Sequence, residues 1–475
     1  MNYINGQWVE ADSGEVLKVV NPATLELVKE VSYGGKIEAE KAVNAAKQAF
    51  KRWKKLTGIE RAEIMKKAAD YMKESAQEIA ETMTREMGKP IKEAYGEVIN
   101  AADFVEWFAE EAKRVFGDVV PAAKTNKHLM VLRQPIGVVA AITPWNFPVS
   151  MITRKIAPAI AAGCTVILKP SPESPLSAMK VFECFHKAGF PEGVVNLVIG
   201  DAEEVGDVFL SSKDVKKITF TGSTAVGKHL IRGSADTVKK VSMELGGHAP
   251  FIVFADADID AAVHGALRTK FRNCGQTCIN TNRIYVHEDV VEEFAEKFGK
   301  AVKDLSIGNG LEESVDVGPL VSENAVAKVE AQVEDAKQRG GEVITGGKRI
   351  AVDGMKGYFY EPTVIKNAKD DMLITNEETF GPVAPIYTFK DDEEALEKAN
   401  DTDYGLASYF YTTNMKRVHH ILEDLEYGII GVNDPSPVVV QGPFGGIKES
   451  GIGSEGGRHG INEFLVEKFV SIDLN

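Results

Sequence analysis

The chain has 475 residues, of which 44% are hydrophobic and 26% are charged, and its formal net charge is −15. This length predicts two or three domains with a substantial core, and the composition is typical of a globular protein. The acidic balance, without a cluster of basic and aromatic residues, argues against nucleic acid as a partner. The longest apolar stretch, residues 156–168, is too short to span a bilayer, so no membrane association is expected.

The cysteine content argues against a disulfide-stabilised fold. Only Cys164, Cys184, Cys274 and Cys278 are present, and residues 1–8 lack the basic and apolar segments of a signal peptide. We therefore expect a reducing, cytoplasmic setting. The pair Cys274 and Cys278 has no further cysteine or histidine nearby at zinc-ligand spacing, so no metal site is expected.

The predicted elements begin with two helices. Apolar residues recur at helical spacing over 38–56 and again over 60–87, and Gly88 with Pro90 predicts the end of the second helix. From residue 131 short apolar runs alternate with helical stretches. Strands are predicted at 137–142, 164–168, 194–199, 216–220 and 238–242, with helices at 153–162, 175–188, 202–210 and 224–233. This alternation predicts a parallel sheet that binds a nucleotide beyond the carboxyl ends of its strands.

A second α/β series follows the glycine pair at 246–247, which we interpret as a hinge. Two segments, 121–135 and the apolar tail 461–475, fit neither series. Because an exposed apolar strand must pair with something, we expect these segments to take part in subunit association. The second series has strands near 251–254, 283–287, 362–365 and 384–389, and helices near 257–272, 289–304, 321–338 and 392–399.

Two short segments carry the strongest chemical signal. Cys278 ends the tetrapeptide 275–278 (GQTC), and Glu244 precedes the glycine pair at 246–247. A thiol beside small residues is a soft nucleophile, and a carboxylate at a domain junction can activate water, so the pair suits acyl transfer. Cys278 could instead be a buried structural cysteine, and Glu244 a surface carboxylate. Cys274 lacks the same context and is expected to be inert.

Three further segments each allow a functional and a structural interpretation. Asn146, held between aromatic residues and prolines in 143–148, could donate its amide to an oxyanion, or the segment could be a plain turn. Lys169 ends a predicted strand and could meet a ribose or a phosphate, or be a solvated loop lysine. Segment 220–229 is not a phosphate loop of the nucleotide-triphosphatase type, because His229 replaces the required serine or threonine. It could still offer a helix N-terminus to a phosphate, or be an ordinary strand–helix turn.

Taken together, in their order along the chain, these segments resemble the aldehyde dehydrogenase superfamily. The resemblance extends from about residue 3 to residue 473. The resemblance implies an α/β fold with a Rossmann-like NAD(P)-binding domain (1–120 and 136–246), an α/β catalytic domain (247–445) and a small β oligomerisation arm (121–135 and 446–475). It also implies NAD or NADP as cofactor, a small-molecule aldehyde as substrate, and a homodimer or homotetramer. The matching motifs are Thr143-Pro-Trp-Asn-Phe-Pro148, Lys169-Pro170, Phe220-Thr-Gly-Ser223, Glu244-Leu-Gly-Gly247, Gly275-Gln-Thr-Cys278, Glu378-Thr-Phe-Gly-Pro382 and Pro443-Phe-Gly-Gly446.

The resemblance assigns roles to individual residues. Cys278 would be the nucleophile, Asn146 and the Cys278 backbone N–H would form the oxyanion hole, and Glu244 would activate water to hydrolyse a thioester. Lys155 and Glu455 match positions that the family uses as secondary polar groups near the cleft. Lys169 would bind the adenine ribose and Glu378 the nicotinamide ribose. The complete set implied for the cofactor is Thr143, Pro144, Trp145, Lys169, Gly222, Ser223, Val226, Leu245, Glu378 and Phe380.

Within the superfamily, residues 151–155 and 271–278 look most like those of succinate-semialdehyde dehydrogenases. There, arginines matching Arg154 and Arg272 clamp the distal carboxylate of the substrate, since two guanidinium groups recognise a carboxylate specifically. Either arginine could instead pair with a local acid. Other functions remain open at this point: oxidation of a more apolar aliphatic or aromatic aldehyde, a CoA-acylating dehydrogenase, or a non-catalytic protein of the same fold.

Three departures from that subgroup bear on substrate and cofactor. The alignment places a valine of 438–440 where a serine completes the clamp, with Ser436 displaced, which predicts a longer or more apolar semialdehyde. Asn280 stands where some relatives carry a second cysteine, so no disulfide switch is expected. Pro172 stands where NAD-selective members carry a glutamate that repels a 2′-phosphate, which leaves the choice between NAD and NADP open.

Overall fold

The structure is a computed structural model that describes residues 1–475. Its first sheet has eight strands, and the five central ones run parallel, as the alternating pattern predicted. Short strands at both edges run antiparallel to their neighbours. The order across this sheet is Gln7–Val9, Asn2–Ile4, Val195–Leu197, Thr165–Lys169, Val138–Ile142, Val215–Thr221, Lys240–Glu244 and Gly451–Ile452.

The helices around the first sheet differ from the prediction in two places. The prediction of a single helix over 60–87 is wrong. Ser75 leaves the helical conformation, at φ −95° and ψ 10°, and divides the segment into two helices. Helix Ile91–Glu111 was not predicted, although it buries Ala94, Val98 and Ala101 at helical spacing. The helices are Lys36–Trp53, Gly58–Glu74, Ala76–Met87, Ile91–Glu111, Pro148–Ala162, Pro175–Ala188, Ala202–Ser211 and Thr224–Ser234.

The second sheet has seven strands and contains all four that were predicted after the glycine pair. Six of them run parallel, and Glu342–Thr345 runs antiparallel at one edge. The order is Glu342–Thr345, Thr363–Lys366, Val383–Phe389, Thr281–His287, Ala249–Val253, Ala407–Tyr411 and Ile429–Val432. The accompanying helices are Ile259–Phe271, Val291–Lys303, Glu323–Gln338, Leu373–Asn376, Asp392–Asn400 and Met415–Asp424.

The two segments that fitted neither series pair with each other. Strand Leu465–Asp473 runs antiparallel to Lys127–Pro135 along its whole length, and Asp118–Val120 adds a third strand. This three-stranded arm keeps apolar side chains in solvent, with Val119 90% and Phe469 62% exposed. The remaining strands are Val16–Val20 with Leu27–Ser32 and Tyr404–Gly405 with Ile447–Lys448, and the 3-10 turns are Ala112–Arg114, Ala235–Thr237, Arg272–Gly275 and Gly460–Phe464.

The junction between the two sheets brings the predicted catalytic segments into contact. Glu244 is the last residue of strand Lys240–Glu244, and the glycine pair leads directly into strand Ala249–Val253. A side chain on Gly247 would overlap the carbonyl oxygen of Cys278, so only glycine allows this approach. No helix of the chain is both long and apolar enough to cross a membrane.

Candidate active site

The segment before Cys278 has an unusual backbone. Asn273, Cys274 and Gly275 all lie in the left-handed region, at φ 51°, 56° and 73°. A side chain on Gly275 would overlap the Gly381 carbonyl oxygen, so glycine is required there. Each non-glycine residue in this region costs roughly 1–2 kcal/mol, so the turn persists only where its surroundings hold it.

Buried hydrogen bonds hold this turn in place. The Asn273 backbone N–H donates to Glu93 Oε2 at 2.9 Å, and Asn273 Nδ2 donates to the Asn146 carbonyl oxygen at 3.0 Å. Gln276 Nε2 donates back to the Asn273 carbonyl at 3.1 Å, while Gln276 Oε1 accepts from the Val321 N–H at 2.9 Å. Asn273 and Gln276 therefore fix the loop that leads to Cys278.

Asn146 lies against the same loop. Its Nδ2 donates to the Gln276 carbonyl oxygen at 3.0 Å, two residues before Cys278. An amide nitrogen carries two hydrogens, so the second N–H of Asn146 has no protein acceptor and can serve a ligand oxygen. The structure thus brings Asn146 and the Cys278 loop together, as the sequence predicted.

A buried ion pair, Lys89 and Glu97, holds the backbone at Asn146 and at the start of the helix that follows it. Lys89 Nζ donates to Glu97 Oε2 and, at 2.7 Å, to the Asn146 carbonyl oxygen. Glu97 Oε1 accepts from the N–H groups of Val149 and Ser150 at 2.9 and 3.1 Å. The sequence analysis missed this pair. Its signal was a carboxylate at 97 on the otherwise apolar face of helix Ile91–Glu111.

Glu244 is buried, with 2% of the residue exposed, and neither of its carboxylate oxygens has a hydrogen-bond partner. Burial raises the pKa of this carboxyl well above its usual range, and the negative charge of Glu455 raises it further. Lys155, which is fully buried, donates to Glu455 Oε1, and Glu455 Oε2 has no partner. Glu244, Lys155 and Glu455 therefore form one buried cluster of titratable groups.

Cys278 opens onto a cavity of about 580 Å³ between the two sheets. Burial raises the pKa of its thiol to about 12, and the negative charge of Glu378 adds to the effect. Thr277 and Ile279 line the cavity beside Cys278, and Ser436 and Val438 both reach its wall. The cavity is also lined by charged, histidine and aromatic side chains, namely Glu93, Phe147, Arg154, His264, Arg268, Arg272, Asp316 and Phe444.

The two arginines predicted to clamp a carboxylate both line this cavity, and neither forms an ion pair within the chain. Arg154 is only 4% exposed, its guanidinium carbon lies 4.1 Å from the centre of the Phe444 ring, and its Nε has no partner. Arg272 is exposed and lies 5.0 Å from the centre of the Phe147 ring. No direct ion pair with a local acid, the alternative left open by the sequence, is present, although the charge of Arg272 opposes the rise that burial causes in the pKa of the nearby Glu93 carboxyl.

Beyond the carboxyl ends of the first sheet, several groups fit a phosphate and a ribose. Gly222 follows strand Val215–Thr221, and a side chain there would overlap the Phe220 ring. Ser223 is the N-cap of helix Thr224–Ser234 and accepts from the N–H of Val226, whose own side chain is exposed. The first amides of that helix are free to bind an anion.

Unpartnered polar groups lie at the same strand ends. Thr143 Oγ1 and Thr221 Oγ1 are buried without a hydrogen-bond partner. Lys169 is buried, its Nζ donates only to the Pro170 carbonyl oxygen at 3.2 Å, and burial lowers its pKa. These donors are what a nucleotide would satisfy, so the residues fit the predicted dinucleotide.

The remaining predicted cofactor residues lie where the two sheets meet. Burial raises the pKa of the Glu378 carboxyl to about 7, although its Oε1 accepts from the Gly247 N–H at 3.0 Å. The Phe380 ring packs edge-on against Trp145, with ring centres 5.6 Å apart. Leu245 packs against Gly227 of the phosphate-side helix, and Pro144 follows Thr143 at the strand end.

The reactivity of the four thiols provides a test of this geometry. In the free protein, iodoacetamide should modify Cys278 and leave Cys164, Cys184 and Cys274 unmodified, because those three are buried. Since the thiolate is the reactive form, a pKa of about 12 predicts a Cys278 rate that rises about tenfold per pH unit through the neutral range. Peptide mass spectrometry measures both. A rate that levels off below about pH 9 would contradict the raised pKa of this thiol.

Comparison with known proteins identifies the family. The aldehyde dehydrogenase family profile matches residues 8–470. The chain is 51% identical over 470 residues to 3-sulfolactaldehyde dehydrogenase of Pseudomonas putida, covering 99% of this chain and 96% of that protein. It is 51% identical over 467 residues to a mitochondrial succinate-semialdehyde dehydrogenase of Oryza sativa subsp. japonica, covering 98% and 88%. A crystal structure of an Escherichia coli NADP-dependent enzyme superposes with a TM-score of 0.98 at 48% identity, covering 100% and 98%. The chain belongs to the aldehyde dehydrogenase family, whose members are NAD(P)-dependent oxidoreductases that act on an aldehyde.

Proposed function

We propose that the chain converts an aldehyde into a carboxylic acid through a thioester on Cys278, which water activated by Glu244 then hydrolyses. The observation that carries this assignment is the buried Glu244 carboxylate, which no protein group satisfies although it lies close enough to Cys278 to raise the pKa of that thiol. Burying an unpaired carboxylate costs several kcal/mol, so the chain keeps it for a purpose other than stability.

In the first half-reaction, the Cys278 thiol loses its proton to water and the thiolate adds to the aldehyde carbon. The resulting oxyanion would accept hydrogen bonds from Asn146 Nδ2 and from the Cys278 N–H, in a geometry that the loop contacts set in advance. Bound NAD or NADP would supply the hydride acceptor for this oxidation. Collapse of the Cys278 adduct, with loss of that hydride from carbon, leaves a thioester on sulfur.

In the second half-reaction, the Glu244 carboxylate takes a proton from water while the water oxygen adds to the thioester carbon. Collapse of this adduct breaks the carbon–sulfur bond, and the Cys278 sulfur recovers a proton from Glu244. Lys155 and Glu455 would tune the Glu244 carboxylate through charge, since they are buried beside it. The sum is aldehyde, water and oxidised cofactor giving acid, reduced cofactor and one proton.

For the cofactor, we propose Lys169, Gly222, Ser223 and Val226 on the adenosine and pyrophosphate side. Thr143, Pro144, Trp145, Leu245, Glu378 and Phe380 would lie along the nicotinamide half. The unpartnered Thr143 hydroxyl and the nearly unpartnered Lys169 ammonium support this placement.

Replacement of the nucleophile tests the proposed chemistry. Cys278→Ala should abolish aldehyde-dependent reduction of NAD or NADP, because no other thiol faces the cavity. Binding of the cofactor should remain within about twofold, as measured by fluorescence titration, since Cys278 is not among the groups that would hold it. Cys274→Ala is the matched control and should retain activity. Steady turnover by Cys278→Ala would exclude the covalent route.

For the substrate, we propose an aldehyde with a distal carboxylate, such as succinic semialdehyde. Two unpaired guanidinium groups, Arg154 and Arg272, in the same cavity as Cys278 support this class. The relative from Oryza sativa, which is named a succinate-semialdehyde dehydrogenase, supports this class as well. The relative from Pseudomonas putida is named for 3-sulfolactaldehyde, whose distal anion is a sulfonate, so it supports an anionic aldehyde more generally. Val438 lines the cavity together with Ser436, so the wall there is partly apolar. A partly apolar wall is consistent with a semialdehyde that is longer than succinic semialdehyde.

Removal of one guanidinium tests the substrate class. Arg272→Ala should raise the KM for succinic semialdehyde at least about tenfold, because a charge-assisted hydrogen bond to a carboxylate is worth roughly 1.5–3 kcal/mol and each 1.4 kcal/mol is about tenfold. The KM for butanal should stay within about twofold, because butanal has no carboxylate. Steady-state kinetics with both aldehydes gives the answer. Equal changes in KM for the two substrates would contradict the proposal that the substrate carries a distal carboxylate.

For the assembly, we propose that the arm formed by residues 121–135 and 446–475 joins subunits into a homodimer or homotetramer. Exposed apolar side chains support this role, because they would otherwise remain in water. Phe469 and Ile472 lie within these bounds, and Val119 lies just outside them on strand Asp118–Val120, which pairs with the arm. We propose the other domain boundaries as 1–120 with 136–246 and 247–445, which the division of the strands between two sheets supports. Strand Gly451–Ile452 of the arm segment nevertheless joins the first sheet, and strand Asp118–Val120 of the first domain joins the arm. The four free thiols support a reducing, cytoplasmic compartment.

A further inference from the structure

One helix face along the substrate cavity carries three cationic or ionisable side chains in a row. His264 and Arg268 belong to helix Ile259–Phe271, and Arg272 follows immediately after it. Their spacing of four residues places them on one face, each about one helical turn, or roughly 5.4 Å, from the next. All three line the cavity that contains Cys278.

The net charge of the side chains that line this cavity is opposite in sign to the net charge of the whole chain. Its lining contains the arginines at 154, 268 and 272 against two carboxylates, Glu93 and Asp316, whereas the chain has a net charge of −15. Glu93 Oε2 already accepts from the Asn273 N–H at 2.9 Å, and Asp316 Oδ2 accepts from the Ser306 N–H at 3.0 Å. One oxygen of each carboxylate is thus engaged by the protein. None of the three arginines forms an ion pair, although Arg272 is near enough to Glu93 for its charge to counteract the burial that raises the pKa of that carboxyl.

The arginines lie at two depths. Arg154 is 4% exposed, and its buried Nε has no partner, so it marks the inner end at which an anion would be bound. Arg268 and His264 are exposed, so they mark the part of the cavity that solvent reaches. Arg272 connects the inner end of the cavity with its solvent-exposed part, because it lies one helical turn from Arg268 and lines the same cavity.

We propose that Arg268, with His264 beside it, forms an outer anion site that binds the distal carboxylate of ω-carboxylate aldehydes too long for the inner arginines. This inference rests on the proposed function, because it assumes that the aldehyde reacts at Cys278. A planar guanidinium binds a carboxylate through two parallel hydrogen bonds, so Arg268 is suited to this contact once the carboxylate reaches it. The cavity then takes semialdehydes of more than one length.

The experiment compares KM and kcat for succinic, glutaric and adipic semialdehyde and for hexanal, at saturating cofactor and constant ionic strength. The variants are Arg268→Ala, Arg268→Lys and a control, Arg52→Ala. Arg52 lies exposed in helix Lys36–Trp53 and forms no ion pair, so its removal changes the net charge equally without touching the cavity.

We expect Arg268→Ala to raise the KM for adipic semialdehyde about threefold to fivefold, the size expected of a solvent-exposed ion pair. Its kcat should not change, and the KM values for succinic semialdehyde and hexanal should stay within about twofold. Arg268→Lys should recover part of the loss because it restores the charge, and Arg52→Ala should match the native enzyme.

Several outcomes would overturn the outer site. Equal KM changes for all three semialdehydes in Arg268→Ala, or the same change in Arg52→Ala, would indicate a long-range charge effect. No turnover of adipic semialdehyde by a native enzyme that prefers succinic semialdehyde over hexanal would refute the outer site alone. A native enzyme that does not distinguish semialdehydes from hexanal would refute the proposed substrate class, and the outer site with it.

Discussion

The left-handed turn at Asn273, Cys274 and Gly275 is the constraint on which the rest of the site depends. It redirects the chain after helix Ile259–Phe271, and it costs backbone energy at two non-glycine residues. The cost is offset by buried hydrogen bonds, above all from Asn273 to Glu93 and to the Asn146 carbonyl. A loop held so firmly keeps Cys278 and the Asn146 amide in fixed relation, which is what stabilisation of an oxyanion requires.

Fixing this turn takes residues from distant parts of the chain. The ion pair Lys89–Glu97 holds the backbone at Asn146 and caps the helix that carries Arg154 and Lys155. Glu455 comes from near the C-terminus and pairs with Lys155. The groups that serve structure, Lys89 and Glu97, satisfy each other and the backbone. Those assigned to chemistry, Glu244 and Arg154, keep atoms without partners inside the protein. In this site, the buried charged groups with complete hydrogen bonding are those that hold the structure, and the ones with unpartnered atoms are those assigned to chemistry.

The sequence predicted much of the fold because strand–helix alternation reports a parallel sheet directly. It could not show the break at Ser75, because the apolar spacing continues across it and the helices restart within one residue. Helix Ile91–Glu111 was predictable, because its buried apolar residues recur at helical spacing. Asn146, Cys278 and Glu244 were accessible through local motifs. The roles of Lys89 and Glu97 were not, because the backbone groups they hold, at Asn146, Val149 and Ser150, lie 52 to 57 residues further along the chain. Arg268 was not, because only the folded chain brings it to the cavity that Cys278 lines.

The central claim is that Glu244 activates water for hydrolysis of a thioester on Cys278, and the pre-steady state of the isosteric variant Glu244→Gln tests it most directly. Rapid mixing with aldehyde and cofactor should give a burst of about one equivalent of reduced cofactor, followed by slow turnover, because acylation precedes the step that needs the carboxylate. Intact-protein mass spectrometry should then find the acyl group on Cys278. Turnover at the native rate, or a burst without an acyl group on Cys278, would contradict the account.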